Sequence, residues 1–231
     1  MKKTELPLLN LEKASFLGTG EYRIPVIQPI TEYDETTRWI PYHYINECKK
    51  DPSKLGMYFY IDDYRFEALW NSPDKYINRL RQFRYVLAPD FSIYADMPKA
   101  LQVYNHYRKH WLAAYWQMNG ITVIPTITWT LPQNLKFCLD GEPKNAVIST
   151  SSKGLMRSPE LLDTYWDDYE YVMGKLQPKM VLFHGIVPDH LKGKVVSMKD
   201  AYTPFSAKMA KIEAEEKNTK KIRYNENKER P

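Results

Sequence analysis

Five short apolar runs, each stopping at a polar residue, constrain this chain more than any other feature of its sequence. Met57-Tyr58-Phe59-Tyr60-Ile61 stops at Asp62-Asp63, and Tyr85-Val86-Leu87-Ala88 at Pro89-Asp90. Ile121-Thr122-Val123-Ile124 stops at Pro125-Thr126, Ala146-Val147-Ile148 at Ser149-Thr150-Ser151-Ser152, and Met180-Val181-Leu182-Phe183 at His184-Gly185. Near-continuous apolar runs of this length are the pattern of strands buried on both faces of a parallel sheet.

Helical periodicity fills most of the gaps. Ser72-Pro73 offers a cap and a first-turn proline ahead of Tyr76, Ile77, Leu80 and Phe83. Asp96 can cap a second helix whose stripe is Met97, Leu101, Tyr104, Tyr107, Trp111, Tyr115 and Met118, with Gly120 ending it. Ser158-Pro159 opens a third, with Leu162, Tyr165, Tyr169, Val172 and Leu176 on one face. Three strand-to-strand steps are roughly 28 to 36 residues, the size of a βαβ unit. The step from Ile124 to Val147 contains Pro132, Gly141 and Pro143 and reads as mostly loop.

The fold class is therefore α/β, a mostly parallel sheet of about five or more strands with flanking helices, open or partially barrel-like. Residues 1–207 form one domain, with an irregular amino-terminal part over 1–56, and 208–231 form a charged tail expected to be frayed or disordered. Gly18-Thr19-Gly20 resembles a fragment of a phosphate loop but lacks its later Gly and Lys-Ser/Thr.

Charge narrows the function classes. The net charge is +5, and the tail holds eight basic and five acidic residues, so the body is nearly neutral. A broad nucleic-acid footprint is not expected from charge. No apolar run approaches the roughly 18 residues of a membrane span, and no secretory signal follows Met1-Lys2-Lys3. Cys48 and Cys138 stand too far apart in sequence for a metal-type cluster.

Ligands in parallel α/β folds collect beyond the carboxyl ends of the strands. The candidate catalytic residues there are Asp62, Asp63, Asp90 and His184. The candidate ligand-binding residues are Ser92, Thr126, Trp129, Ser149, Ser151, Lys153 and Arg157. Asp62 and Asp63 point to opposite faces of an extended strand, so one of them aims at a shared pocket and the other pairs locally, for example with Arg65. Either one with Asp90 can hold a hard cation such as Mg²⁺ or divide acid and base roles. The Ser149–Gly154 loop, with Lys153 and nearby Arg157, suits a phosphate. His106 and His110 share a helical face, but Tyr107 stands where a zinc protease motif needs Glu. With Arg108 and Lys109 they are expected to form a solvated, weakly basic face.

Phe59–Glu67, Pro89-Asp90-Phe91-Ser92-Ile93-Tyr94 and Gly120–Trp129 together resemble the domain-of-unknown-function family 4417, over roughly residues 15–190. The resemblance implies a phage, plasmid or integrative-element setting and the cytoplasm of a bacterial host. It assigns no reaction, metal or oligomeric state. Three hypotheses follow: an enzyme acting on a phosphorylated or nucleotide-like substrate, a nucleic-acid- or host-protein-binding module, or a protein that sequesters a small signalling molecule against host defence. Convergence of Asp62 or Asp63 with Asp90, Ser149 and His184 favours the first or third. A flat basic face joining Arg108, Lys109 and the tail favours the second.

Overall fold

The structure, a computed structural model, describes residues 10–46, 51–129, 135–152, 159–185, 187, 191 and 194–201. Backbone contacts divide the chain into two compact units, Met1–Lys199 and Asp200–Pro231, and the fold described belongs to the first. The tail, Cys48, Lys153 and Arg157 lie outside the described residues.

Among the described residues there are nine strands and five α-helices. A small antiparallel pair comes first, β1 (Gly18–Thr19) and β2 (Ile24–Pro25), so Gly18-Thr19-Gly20 belongs to a hairpin. The remaining strands are β3 (Arg38–Pro41), β4 (Leu55–Tyr58), β5 (Tyr85–Leu87), β6 (Val123–Ile124), β7 (Val147–Ser151), β8 (Met180–His184) and β9 (Val195–Ser197). These seven are parallel, and their spatial order is their chain order. Two ladders, β3 to β6 and β7 to β9, meet at the parallel bridge Thr126↔Ser149. There Ile127 N–H donates to Ser149 O and Ser149 N–H to Pro125 O, each at 2.8 Å. On the far side, Trp39 N–H donates to Lys199 O at 2.9 Å, bringing the chain after β9 back onto β3. The strands thus form a ring with two thin seams, the second of the two forms, open or partially barrel-like, that the alternating pattern allowed.

β3 and β9 complete the ring and were not legible as strands. Arg38-Trp39-Ile40-Pro41 and Val195-Val196-Ser197 hold only the apolar pairs Trp39-Ile40 and Val195-Val196, too short to stand out as runs.

Helices cover the outside. Glu67–Asn71 (α1) and Ile77–Leu80 (α2) lie between β4 and β5, and Lys99–Met118 (α3) between β5 and β6. Leu135–Cys138 (α4) is the short helix within the expected loop, and Pro159–Leu176 (α5) joins β7 to β8. Tyr165, Tyr169, Val172 and Leu176 of α5 pack on Ile127, Ile148 and Val181, the outward residues of the sheet. The second helix begins later than expected, with Pro98 at its N-cap and no capping side chain. Ser72 likewise makes no side-chain cap, and its helix splits into a 3₁₀ turn and α2.

The solvated basic face expected on α3 does not exist. His106 and His110 are 0% exposed, Lys109 2% and Arg108 8%. Leu101 and Met118, placed on the apolar stripe, are exposed instead. The amino-terminal segment is the cause: it lies along α3, where Trp111 Nε1 donates to Ala14 O and Gln117 Nε2 to Gln28 O. The same segment then crosses the amino-terminal end of the ring. Val147 N–H donates to Ile30 O, Tyr33 stacks on Trp39, and Asp34 N–H donates to the Tyr85 hydroxyl. Gly56 belongs to this packing, because a Cβ there would stand 2.5 Å from the Trp39 ring. The amino-terminal end is thereby covered with aromatic rings, and the polar strand ends lie at the opposite end.

Candidate functional site at the carboxyl mouth of the ring

β4 is separated from β7 and β8 by other strands in both directions around the ring. A side-chain contact between them therefore crosses the interior. Several do. The Tyr60 hydroxyl, two residues beyond β4, lies 2.7 Å from Ser149 Oγ of β7. Ser149 Oγ donates to Leu182 O at 3.1 Å, so its proton is used and Tyr60 is the donor to it. The His184 ring of β8 stacks on Tyr60 at 4.7 Å and 19°, and lies 4.9 Å from the Tyr58 ring. Ser151 Oγ donates to His184 O at 2.9 Å and lies 3.2 Å from His184 Nδ1. Period-two alternation puts Tyr58 and Tyr60 on one face, and Ser149 and Ser151 on one face, which is why both pairs reach the interior.

Asp90 stands at this end of β5. It accepts from Thr128 Oγ1 at 2.6 Å. Burial raises its carboxyl pKa to about 6, with a further push from Asp63. The Thr128 hydrogen bond and the Lys109 charge oppose that rise without cancelling it. Tyr60 and Tyr165 both sense the Asp90 charge, and burial first, then that charge, holds the Tyr60 phenol well above its usual range. Tyr60 is therefore a fixed donor, whereas Asp90 changes charge near neutrality.

The two adjacent aspartates take different partners, but not through strand alternation: β4 ends at Tyr58, and Asp63 opens a 3₁₀ turn with Asp62 at its N-cap. Asp63 accepts from Ser92 N–H at 3.0 Å and Ser92 Oγ at 2.8 Å, which ties the β4 end to the β5 end. Asp62 turns outward to Arg65 at 3.4 Å, largely exposed. With its own proton on Asp63, Ser92 Oγ accepts from the Tyr94 hydroxyl at 3.0 Å, and its carbonyl receives Asn105 Nδ2.

Not every candidate reaches the mouth with free polar atoms. Thr126 Oγ1 donates to Ala88 O at 2.8 Å and stitches β5 to β6. Trp129 stacks on Tyr165 at 4.6 Å and 11°, within the cluster that packs α5 on the sheet. The contacts make two groups, Asp63 with Ser92 and Tyr60 with Ser149, His184 and Ser151; Asp90 bonds to Thr128 and acts on Tyr60 through its charge, and Asp62 belongs to neither group. Tyr58, Tyr60 and Thr128 are the additions. Tyr58 and Tyr60 carried a readable signal, since they share a strand face and immediately precede the acidic pair.

Comparison with known proteins is consistent across the body of the chain. No solved structure matches. The Gene 1 protein of Mycobacterium phage L5 is 35% identical over 181 residues, covering 77% of each chain. The Gene 1 protein of Mycobacterium phage D29 is 35% identical over 180 residues, covering 77% of this chain and 65% of that protein. No helix among the described residues is long and apolar enough to cross a membrane. The residues 17–202 that build the ring and its mouth match the family described as Domain of unknown function (DUF4417), and the chain belongs to that phage-associated family.

Proposed function

We propose that this protein binds a small phosphorylated, nucleotide-like ligand at the carboxyl mouth of the ring and acts on it by general acid–base chemistry. Asp90 carries the reading: its pKa of about 6 sits where a proton can be taken or given near neutral pH. Tyr60, Ser149, Ser151 and His184 supply hydroxyl and imidazole groups around it. Lys153 and Arg157, after β7, are the cations for the phosphate. Asp63 and Asp90 are the oxygen donors that an accompanying Mg²⁺ would use. The proposed setting is the cytoplasm of a bacterium carrying the mobile element.

The alternative, a nucleic-acid- or host-protein-binding module, drew on a basic face of α3. Arg108 instead pairs with Glu67, and Lys109 with Glu142. That support is withdrawn.

The test is calorimetric titration of nucleoside mono-, di- and triphosphates, with and without Mg²⁺, against the wild type and Asp90→Asn. One nucleotide class should bind the wild type. Asp90→Asn should lower binding or turnover by about 10²-fold while leaving the melting curve cooperative. Turnover should show an acid limb near the Asp90 pKa of about 6. A wild type that ignores every nucleotide but binds labelled DNA or RNA would replace this reading with the binding module.

A further inference from the structure

A second polar cluster lies under α3, outside the ring and unused by the mouth. His106, His110 and Glu142 each bring one ligand atom within 4.8 Å of the others, and all three are buried. Their partners fix where the protons are. His106 Nε2 lies 3.0 Å from Asp140 O, and His110 Nδ1 lies 2.8 Å from Pro25 O. A carbonyl oxygen only accepts, so each of these nitrogens is the N–H.

The opposite ring nitrogens, His106 Nδ1 and His110 Nε2, are then the ones left to hold an ion. His106 Nδ1 and Glu142 Oε2 have no hydrogen-bond partner, and His110 Nε2 faces Glu142 Oε1 at 3.0 Å. Acceptors turned toward each other in a buried site are costly unless a positive centre joins them. Lys109 supplies only part of that charge. Its ammonium lies 2.9 Å from Glu142 Oε1 and also donates to Thr126 O, leaving Oε2 and both imidazole lone pairs. The other face of each ring is held as ligating histidines usually are, with the distal N–H on a backbone carbonyl.

We propose that His106, His110 and Glu142 bind a divalent transition-metal ion of the zinc class, with water completing the coordination. Two imidazoles and a carboxylate suit zinc and disfavour Mg²⁺. The site is shaped by Gly141, whose φ is +78° and whose Cβ, if present, would stand 2.4 Å from Pro25 O and 2.7 Å from His110 Nδ1. Phe137 and Asp140 offer an approach: they line a surface cavity with Glu21, Tyr22, Lys99 and Lys136, and both touch His106. The ion would clip α3 to residues 140–142 on one side.

The experiment uses the full chain after chelator treatment and dialysis. One equivalent of Zn²⁺ should bind, and Zn²⁺ about 100-fold above its Kd should raise Tm by roughly 5–10 °C. Co²⁺ should give the visible absorption of a nitrogen–oxygen site with four or five ligands. His106→Gln and Glu142→Gln should each weaken Zn²⁺ binding by about 10-fold or more. If a variant fails to fold, the Co²⁺ spectrum and Tm response of the wild type decide alone. Absence of both in the wild type overturns the proposal, leaving a His110–Glu142–Lys109 ion-pair network. Binding that survives both substitutions overturns it as well.

Discussion

The mouth of the ring and the cluster under α3 both bury titratable side chains, but they were built by different means. At the mouth, the polar groups come from strand ends, and parallel pairing sets them side by side along one rim. Under α3, His106 sits one helical turn before the adjacent Lys109 and His110, and their partners, Glu142, Asp140 and Pro25, come from elsewhere in the chain. The mouth raises a carboxyl pKa; the α3 cluster lowers those of its carboxylate and imidazoles. For Glu142, burial alone would raise the value, and the positive charge beside it, that of Lys109 first, overcomes it. Partnership therefore decides the direction: Asp90 has a hydroxyl and a nearby like charge, whereas Glu142 has an ammonium in contact.

The largest test of that contrast is Lys109→Met in chelator-treated protein. Removing the ammonium leaves Glu142 buried without its cation, and denaturant unfolding should show a loss of about 3–5 kcal/mol. A loss below about 1 kcal/mol would show that water reaches Glu142 and that the cluster is far less dry than the mouth.

Next in size is the pH response. A carboxyl whose folded pKa is raised binds more protons when folded than when unfolded. Asp90 therefore costs stability as pH rises from its ordinary value of 3.8 through about 6. The full cost is about 1–3 kcal/mol, allowing for partial solvent access. His106 acts in the opposite sense: its folded pKa lies below 6.5, so stability falls as pH drops under that value. Asp90→Asn should remove the alkaline-going loss and keep the acid-going one. Unfolding curves between those pH values that are superimposable for wild type and variant would break the assignment.

Tyr60→Phe should cost about 1 kcal/mol, because Ser149 keeps its bond to Leu182 O and loses only the cross-ring donor. The ring stack on His184 survives in the variant, so hydrogen exchange of β8 amides should change little. The smallest effect is Asp62→Asn, which should leave Tm unchanged within error, since its partner Arg65 is a surface contact. Asp63→Ala, losing two bonds to Ser92, should be measurably less stable, and equal melting of the two variants would erase the distinction drawn between neighbouring aspartates.

Local pattern determined much of this protein. Apolar runs located β4 to β8 because a strand buried on both faces must be apolar along its length. The stripe from Tyr165 to Leu176 located α5, because a helix on a sheet needs one apolar face. The abrupt polar residue after each run placed Asp90, Ser149 and His184 at one end, since parallel strands share a direction. The separation of Asp62 from Asp63 came from a 3₁₀ turn that opens at Asp63, past the end of β4, and strand alternation does not explain it. Only tertiary structure decided the rest. β3 and β9 carry only two consecutive apolar residues each, too few to signal, and they exist because neighbouring strands offer them unpaired backbone groups. Whether Arg108, Lys109, His106 and His110 meet water depended on where residues 10–30 lie, and periodicity within α3 contains no information about a segment so far away. Their burial is a property of the packed chain, because a charged side chain enters a core only when a distant partner is delivered to it.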